Sequence, residues 1–215
     1  MKRVAVLAIA VLTAPVLASC RTASPQQPSP IVQPGGPGDS TRVLSPESVA
    51  ALPRPAFTTA DVTFMQGMIG HHSQAVDMVD LLKKRSMDDG LRQLGQRIEV
   101  SQVDEIKLMQ HWLEDRGQAV PDPHAMHMHG ATLMPGMLSA DEMTQLAAAK
   151  GIEFDRLFLK GMIKHHGGAL TMVTELFSSP GAGQDADIYA FASDVEADQR
   201  MEITRMASML KERQR

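Results

Sequence analysis

The sequence predicts an all-α protein in which two similar helical hairpins pack into a four-helix bundle. Apolar residues recur at helical spacing through most of residues 57–215, and no segment shows the alternating pattern of a strand. The stretch FMQGMIGHHSQA at residues 64–75 returns as FLKGMIKHHGGA at residues 158–169, which indicates an internal repeat. Because an apolar core does not require histidine, the doubled histidine pair is also the first candidate for function.

Residues 1–19 are predicted to be a signal peptide of the lipoprotein type. Lys2 and Arg3 precede the apolar run Val4–Leu17, which is too short for a transmembrane helix of the mature protein. The sequence Leu-Ala-Ser-Cys that ends at Cys20 resembles a bacterial lipobox, whose cysteine is lipidated after cleavage. We therefore expect a protein outside the cytoplasm, anchored to the bacterial cell membrane through Cys20. The alternative is an ordinary signal peptide with an incidental cysteine.

Residues 20–56 are predicted to be a disordered tether that begins with the lipidated cysteine. The segment Arg21–Pro55 contains eight of the thirteen prolines, separated by Ser, Gln and Gly, so it cannot bury enough apolar surface to fold. Cys20 is the only cysteine, and a lipid on its sulfur would exclude both a disulfide and thiolate chemistry. The formal net charge of −4, without a basic cluster, argues against nucleic acid as a partner.

The first helical hairpin is predicted over about residues 58–117. Thr58 and Asp61 have the spacing of a helix N-cap, and apolar residues then recur until a basic run ends the first helix. After a short turn, a second helix continues until Gly117 stops it. Residues 118–138 contain three prolines and are expected to form a long connection without a helix of their own.

The second hairpin is predicted over about residues 152–214, after a short helix that Ser139 and Glu142 cap. Its first helix repeats the first hairpin at an offset of 94 residues, and its second helix does so at an offset of 97. The repeat unit is therefore a whole hairpin rather than a histidine motif. Two hairpins joined by one long crossover have the connectivity of ferritin-like four-helix bundles.

Polar side chains are predicted to meet in one layer inside this bundle. A helical projection places His72 within the apolar face of its helix and His71 at the edge of that face. On the second helix, Gln102 lies at the centre of an apolar stripe with Glu105 beside it, and the second hairpin repeats both patterns. Because the helices of a hairpin run antiparallel, these side chains fall at about the same level: His71, His72, Gln102, Glu105, His165, His166, Gln199 and Glu202.

Two interpretations of this layer stay open at the level of sequence. Imidazole and carboxylate are ordinary ligands of copper, zinc and iron, so the histidines could form an inner metal site with Glu105 and Glu202 as ligands or orienting groups. Met68 and Met162 lie one turn before the histidines and would add sulfur donors. Alternatively, the layer is a hydrogen-bonded network that determines helix register. The Glu-x-x-His motif of di-iron enzymes does not occur in the sequence, which disfavours an oxidase.

The connection between the hairpins contains a second candidate site. Three histidines and two methionines fall within six residues, and imidazole suits Cu(II) while thioether suits Cu(I). Zinc would use the histidines and gain little from methionine. The sequence therefore predicts an exposed copper-capture site, and the alternative is a solvated loop without a physiological ligand. The residues of this capture segment are His124, Met126, His127, Met128 and His129.

The repeated motifs resemble a known family. The pattern F-M-x-x-M-I-x-H-H-x-x-A-x-x-M occupies Phe64–Met78, and F-L-x-x-M-I-x-H-H-x-G-A-x-x-M occupies Phe158–Met172. With Gln102–Leu113 and Met134–Met137 as supporting matches, the chain from Ala56 onward resembles the secreted bacterial domain-of-unknown-function family 305. The resemblance implies a ferritin-like bundle outside the cytoplasm. Some members are associated with copper binding and copper tolerance, and the family as a whole implies no particular activity.

These observations lead to one functional expectation with two rivals. We expect a lipid-anchored protein outside the cytoplasm that binds copper, for sequestration or handover in metal tolerance, with zinc and iron as alternative ions. The expected partners are the metal ion and the membrane, and the sequence does not indicate a protein partner. The first rival is a metal-dependent redox enzyme of ferritin-like type. The second is a metal-free envelope interaction module whose histidine layer is structural.

Overall fold

The computed structural model of this chain describes residues 30–34, 38, 40–51, 56–123 and 133–213. The chain divides into two compact units, Met1–Pro53 and Arg54–Arg215, and the second unit contains the bundle. Most of the described residues are helical, which confirms the predicted fold class. Within these residues, none of the helices combines the length and the apolar character that crossing a membrane requires.

The N-terminal unit contains a small hairpin and a short helix. Strands β1 (Ile31–Gln33) and β2 (Arg42–Leu44) pair antiparallel, with Val32 opposite Val43, and helix α1 (Pro46–Ala50) follows. These elements correct the expectation of a tether without regular structure for the residues concerned. The composition argument overlooked that β-branched side chains on both sides of a Pro- and Gly-rich stretch favour a hairpin.

The first helical hairpin consists of α2 (Thr59–Arg85) and α3 (Asp89–Asp115). The predicted cap is present: the Asp61 amide donates to Thr58 Oγ1 at 3.2 Å, and the Thr58 amide donates to Asp61 Oδ2 at 2.7 Å. This reciprocal pair satisfies two amide groups that a helix start leaves without partners. The hairpin therefore begins and turns within a few residues of the predicted positions.

The second hairpin consists of α5 (Gly151–Ser178) and α6 (Ala186–Glu212), preceded by the short α4 (Ala140–Ala148). Helix α2 packs against both α3 and α5, and α5 packs against α6. A Cβ on Gly67 would lie 3.5 Å from the Met172 methyl, and a Cβ on Gly161 would lie 3.2 Å from the Met78 methyl. The early part of α2 thus meets the late part of α5, and the late part of α2 meets the early part of α5. The two helices therefore run antiparallel at the centre of the bundle.

The apolar core is divided into two clusters. One cluster contains the start of α2 and the end of α3, with Phe64 and Trp112, and the other contains the end of α2 and the start of α3, with Leu82 and Ile98. The first cluster also contains the end of α5 and the start of α6, and the second cluster contains the start of α5 and the end of α6. On every helix, the residues between the clusters are those of the predicted polar layer. The layer therefore lies across the middle of the bundle.

The connection between the hairpins is held closely against the two central helices. Gln74 donates from Nε2 to the Leu138 carbonyl at 2.8 Å and accepts the Leu138 amide at 2.7 Å. Gly136 has a positive φ of 76°, which a residue with a side chain adopts at a cost. A Cβ on Gly168 would lie 1.9 Å from the Pro135 carbonyl oxygen, so only glycine lets the connection cross α5 here.

We expect Gly168→Ala to lower the free energy of unfolding by more than about 1 kcal/mol, although alanine normally favours a helix over glycine by about that amount. The reason is the overlap between the new Cβ and the Pro135 carbonyl group. Gly167→Ala is the matched control, because no heavy atom lies within 4 Å of its Cβ position, and it is expected to stabilise. Denaturant unfolding of the two variants measures both effects, and equal changes would contradict the close crossing.

Candidate metal centre

Four histidine side chains are completely buried in the layer between the two core clusters. His71 and His72 lie on α2, His165 and His166 lie on α5, and each has 0% of its surface exposed. The sequence placed one histidine of each pair at the edge of the apolar face. Because α2 and α5 pack against each other at the centre of the bundle, that edge is covered as well. The prediction of one buried histidine layer is thus realised in the geometry.

The outer histidine of each pair is bonded to a glutamate on the neighbouring helix. His72 Nε2 lies 2.5 Å from Glu105 Oε2, and His166 Nε2 lies 2.6 Å from Glu202 Oε2. Ser101 donates to the other oxygen of Glu105 at 2.8 Å. Burial raises the pKa of Glu105, but the hydrogen bonds from His72 and Ser101 outweigh burial and bring the pKa below its ordinary value. The ionised carboxylate therefore accepts, and the imidazole Nε2 donates.

The inner histidine of each pair is bonded to a backbone carbonyl. His71 Nε2 donates to the Pro135 carbonyl at 3.0 Å, and His165 Nε2 donates to the His71 carbonyl at 3.0 Å. A carbonyl oxygen only accepts, so the proton of each ring must be on Nε2. Burial, with the charge of His72, lowers the pKa of His71 to about 3, and burial with neighbouring His71 holds the pKa of His165 well below its ordinary value. Both rings are neutral at physiological pH.

The Nδ1 atoms of all four histidines are buried and have no hydrogen-bond partner. Such atoms are uncommon in folded proteins, and each one calls for a physical explanation. With Nε2 carrying the proton, Nδ1 of the neutral His71 and His165 rings presents a lone pair, which is the form that binds a metal ion. The rings of His71 and His165 lie 3.8 Å apart between centroids, whereas the two rings within each pair lie 6.3 and 6.2 Å apart.

The layer does not present a complete chelate of nitrogen and oxygen ligands. Within the described parts of the chain, no three His, Cys, Asp or Glu side chains are grouped closely enough to hold a metal ion. Two further donors are sulfurs: Met68 and Met162 are both 0% exposed and lie four residues before His72 and His166, on the same helix face. The available donor set is therefore imidazole nitrogen combined with thioether sulfur.

The two glutamines of the layer are buried as the apolar stripe predicted. Gln102 and Gln199 are each 2% exposed. Gln102 Oε1 and both amide atoms of Gln199 have no partner. The layer therefore contains more polar atoms than its own hydrogen bonds satisfy, which a purely structural network would not be expected to leave.

Some predicted site residues lie outside the described residues, and one contributor was missed. Cys20 with the signal peptide, and the capture segment with His124, Met126, His127, Met128 and His129, are not among the residues that the structure describes. Their roles stay predictions. Sequence reasoning did not find the Pro135 carbonyl as the partner of His71, because every residue has a carbonyl and only the fold selects one. The Met134–Met137 motif was the available signal.

The chain belongs to the family described as Domain of unknown function (DUF305), whose sequence profile matches residues 61–210. That match covers the whole histidine layer and all four hairpin helices except the first two residues of α2 and the last two of α6. No curated protein matches the chain. The family resemblance expected from the doubled His-His motif is thus confirmed.

Solved structures of similar proteins share the fold. A DUF305 fragment from Deinococcus radiodurans is 30% identical, with a TM-score of 0.63, covering 74% of this chain and 99% of that chain. A DUF305 protein from Streptomyces coelicolor, whose name carries the word secreted, is 28% identical, with a TM-score of 0.63, covering 72% and 93%. CopM in its Cu(II)-bound form is 27% identical, with a TM-score of 0.59, covering 71% and 96%, and it is also solved in Cu(I)-bound and Ag-bound forms.

We expect the metal-free bundle to lose stability as pH falls from about 6.5 toward 3. The folded pKa of His71 is about 3 and the ordinary value is 6.5, so between these values the unfolded chain binds a proton that the folded chain does not. Each such histidine contributes a slope of up to about 1.4 kcal/mol per pH unit. His165 and Glu105, whose pKa values are also lowered, act in the same direction.

Urea unfolding without metal at several pH values measures this slope. The variant His71→Gln with His165→Gln should show a shallower slope, because neither glutamine titrates. A free energy of unfolding that stays constant throughout this range would contradict the burial of neutral imidazoles.

Proposed function

We propose that the protein binds copper outside the cytoplasm and holds it for sequestration or handover, with the inner histidine layer as its main site. The observation that carries the proposal is the set of four buried Nδ1 atoms without hydrogen-bond partners. A hydrogen-bonded network alone gives no reason to leave all four unpaired. Copper is the cargo in this proposal, so the layer binds and orients rather than catalyses.

The partners of Nε2 support this assignment. Histidines that bind metals usually donate their other ring N–H to a carboxylate or to a backbone carbonyl, which determines the tautomer and the ring orientation. His72 and His166 donate to carboxylates, and His71 and His165 donate to carbonyls. In this proposal Glu105 and Glu202 orient the imidazoles, because each carboxylate already accepts from the ring that it faces.

The donor chemistry and the relatives favour copper over zinc and iron. Imidazole suits Cu(II), and the thioethers of Met68 and Met162 suit Cu(I), so a mixed set accommodates both oxidation states. CopM, a structural relative, is solved with Cu(II), Cu(I) and Ag. Among the described residues, no three His, Cys, Asp or Glu side chains are grouped. This arrangement fits Cu(I), an ion that binds with few ligands and accepts thioether sulfur among them. Zinc and iron stay as the alternatives that a metal screen compares.

Two further parts of the proposal rest on the sequence. The capture segment with His124, Met126, His127, Met128 and His129 would take up copper first, because its donors are close together in sequence and are predicted to be exposed. A lipid on Cys20 would hold the bundle at the outer side of the cell membrane. The relative from Streptomyces coelicolor, whose name carries the word secreted, supports a location outside the cytoplasm.

Replacing the layer histidines by glutamine is expected to abolish retention of copper at the inner site. The paired variants are His71→Gln with His165→Gln, and His72→Gln with His166→Gln. His111→Gln is the matched control, because His111 lies on the surface of α3 with a side chain 75% exposed. Copper per chain after desalting measures retention, and circular dichroism shows which variants fold. A further variant with alanine at His124, His127 and His129 isolates the capture segment.

The outcomes separate the proposal from its rivals even where a variant unfolds. In the unmodified chain, ¹⁵N NMR of labelled histidine with Ag(I) should show a shift of Nδ1 and not of Nε2. If the paired glutamine variants retain as much copper as the unmodified chain while their melting temperature falls strongly, the histidine layer is structural. Turnover of peroxide or of Fe(II) by the loaded protein would favour the redox enzyme instead.

The orienting role of the glutamates gives a separate expectation. Glu105→Gln with Glu202→Gln should weaken copper binding by about 10–100-fold, the usual effect of losing a partner of a ligating histidine. Glu196→Gln is the control, because Glu196 pairs with Arg200 at the surface of α6. Competition with a chelator of known copper affinity measures the change. An unchanged affinity would mean that the carboxylates do not tune the histidines.

A further inference from the structure

A cavity open to solvent lies beside the histidine layer, in the half of the bundle where α2 begins and α5 ends. Its volume is about 780 Å³. Its walls include both ends of the connection, with Ala119–Pro121 on one side and Met134 and Pro135 on the other. Met172 and Glu175 of α5 complete the wall. The cavity therefore lies where the connection meets the central helices.

Two methionines meet in the wall of this cavity over Gly67. The Met134 sulfur lies 3.1 Å, and the Met172 methyl carbon 3.5 Å, from the position that a Cβ of Gly67 would occupy. Met134 is partly exposed and Met172 is 7% exposed. Glycine at residue 67 thus leaves a space that both thioether side chains approach. Glycine inside a helix is unfavourable by about 1 kcal/mol relative to alanine, so this space is maintained against helix propensity.

The other half of the bundle provides an internal comparison. By the repeat, Gly161 corresponds to Gly67 and Met78 corresponds to Met172. The Met78 methyl lies 3.2 Å from the Cβ position of Gly161, but the connection contributes Leu138 there, at 3.1 Å, and the neighbouring cavity is about 180 Å³. Leucine thus fills the equivalent place where no second sulfur is present. Of these two glycine positions, only Gly67 has two methionines among its nearest atoms.

We propose that Met134 and Met172 form a thioether site for Cu(I) in this cavity, distinct from the histidine layer. Thioether sulfur selects soft ions such as Cu(I) over Cu(II) and zinc. The Glu175 carboxylate in the same wall adds negative charge that attracts a cation. The site adjoins the layer, because Pro135, which follows Met134, accepts the hydrogen bond of His71. This inference rests on the proposed function and gives the bound copper a second, sulfur-based position.

The test uses the full chain labelled with ¹³C at the methionine methyl groups and titrated with Ag(I), a redox-inert stand-in for Cu(I). The methyl signals of Met134 and Met172 are expected to shift together and to reach saturation at the same Ag(I) concentration. In Met134→Leu, the shift of Met172 should be lost, and in Met172→Leu the shift of Met134 should be lost. Leucine conserves the volume of methionine closely enough for the core to tolerate it.

Met78→Leu is the matched control, because Met78 has the equivalent place beside Leu138 and no second sulfur. It should leave the shifts of Met134 and Met172 unchanged. If the chain binds Ag(I) or copper through its histidines while Met134 and Met172 stay unshifted, the two methionines are packing residues and this inference is wrong. If neither histidine nor methionine signals respond and no metal is retained, the proposed function itself fails.

Discussion

The arrangement of this bundle depends on the need to satisfy four imidazole rings that have no access to water. Each ring places two nitrogen atoms inside a core where an unpaired polar atom is unfavourable by about 1–3 kcal/mol. The donors are satisfied by two glutamates and two backbone carbonyls. Those partners lie on α3, α6, α2 and the connection, so the same bonds that satisfy the rings also align the elements.

The two halves of the repeat differ because the single connection makes different contacts with each of them. His71 bonds to the Pro135 carbonyl of the connection, whereas His165 bonds to the His71 carbonyl of α2. The close crossing requires Gly168, and the corresponding position of the first copy is occupied by Gln74, which instead pairs with Leu138. A duplicated sequence thus gives a layer that is nearly symmetric in its glutamate bonds and asymmetric in its carbonyl bonds.

The proposed function assigns different parts of the bundle to holding an ion and to exchanging protons with solvent. The ring nitrogens without partners lie in a closed core, while the wall of the solvent-accessible cavity contains methionine sulfur, apolar groups and the Glu175 carboxylate. Glu105 and Glu202 are about one-fifth exposed, so each reaches from the surface of the bundle to a completely buried histidine. Such a pair can orient a ring and exchange a proton with solvent when an ion enters or leaves.

Most of the fold and part of the site follow from sequence patterns that act over short distances. Helical periodicity, the Thr58 and Ser139 caps and the turns at the hairpin ends are local, so they predicted the helices within a few residues. The same periodicity placed His72 and Gln102 in the core. Composition, by contrast, missed the strands β1 and β2, because it counts residue types and ignores the order that places β-branched side chains on both sides of a turn.

The sequence by itself determined that four histidines, two glutamates and two glutamines share one layer. The helical period places them on the inner faces of their helices, and the antiparallel course of each hairpin brings them to one level. Only the tertiary structure decided which atoms of those side chains are left without partners. The choice of the Pro135 carbonyl for His71, and the meeting of Met134 with Met172 over Gly67, arise where the connection crosses α2 and α5. Contacts between segments far apart in sequence depend on packing, and no local pattern encodes them.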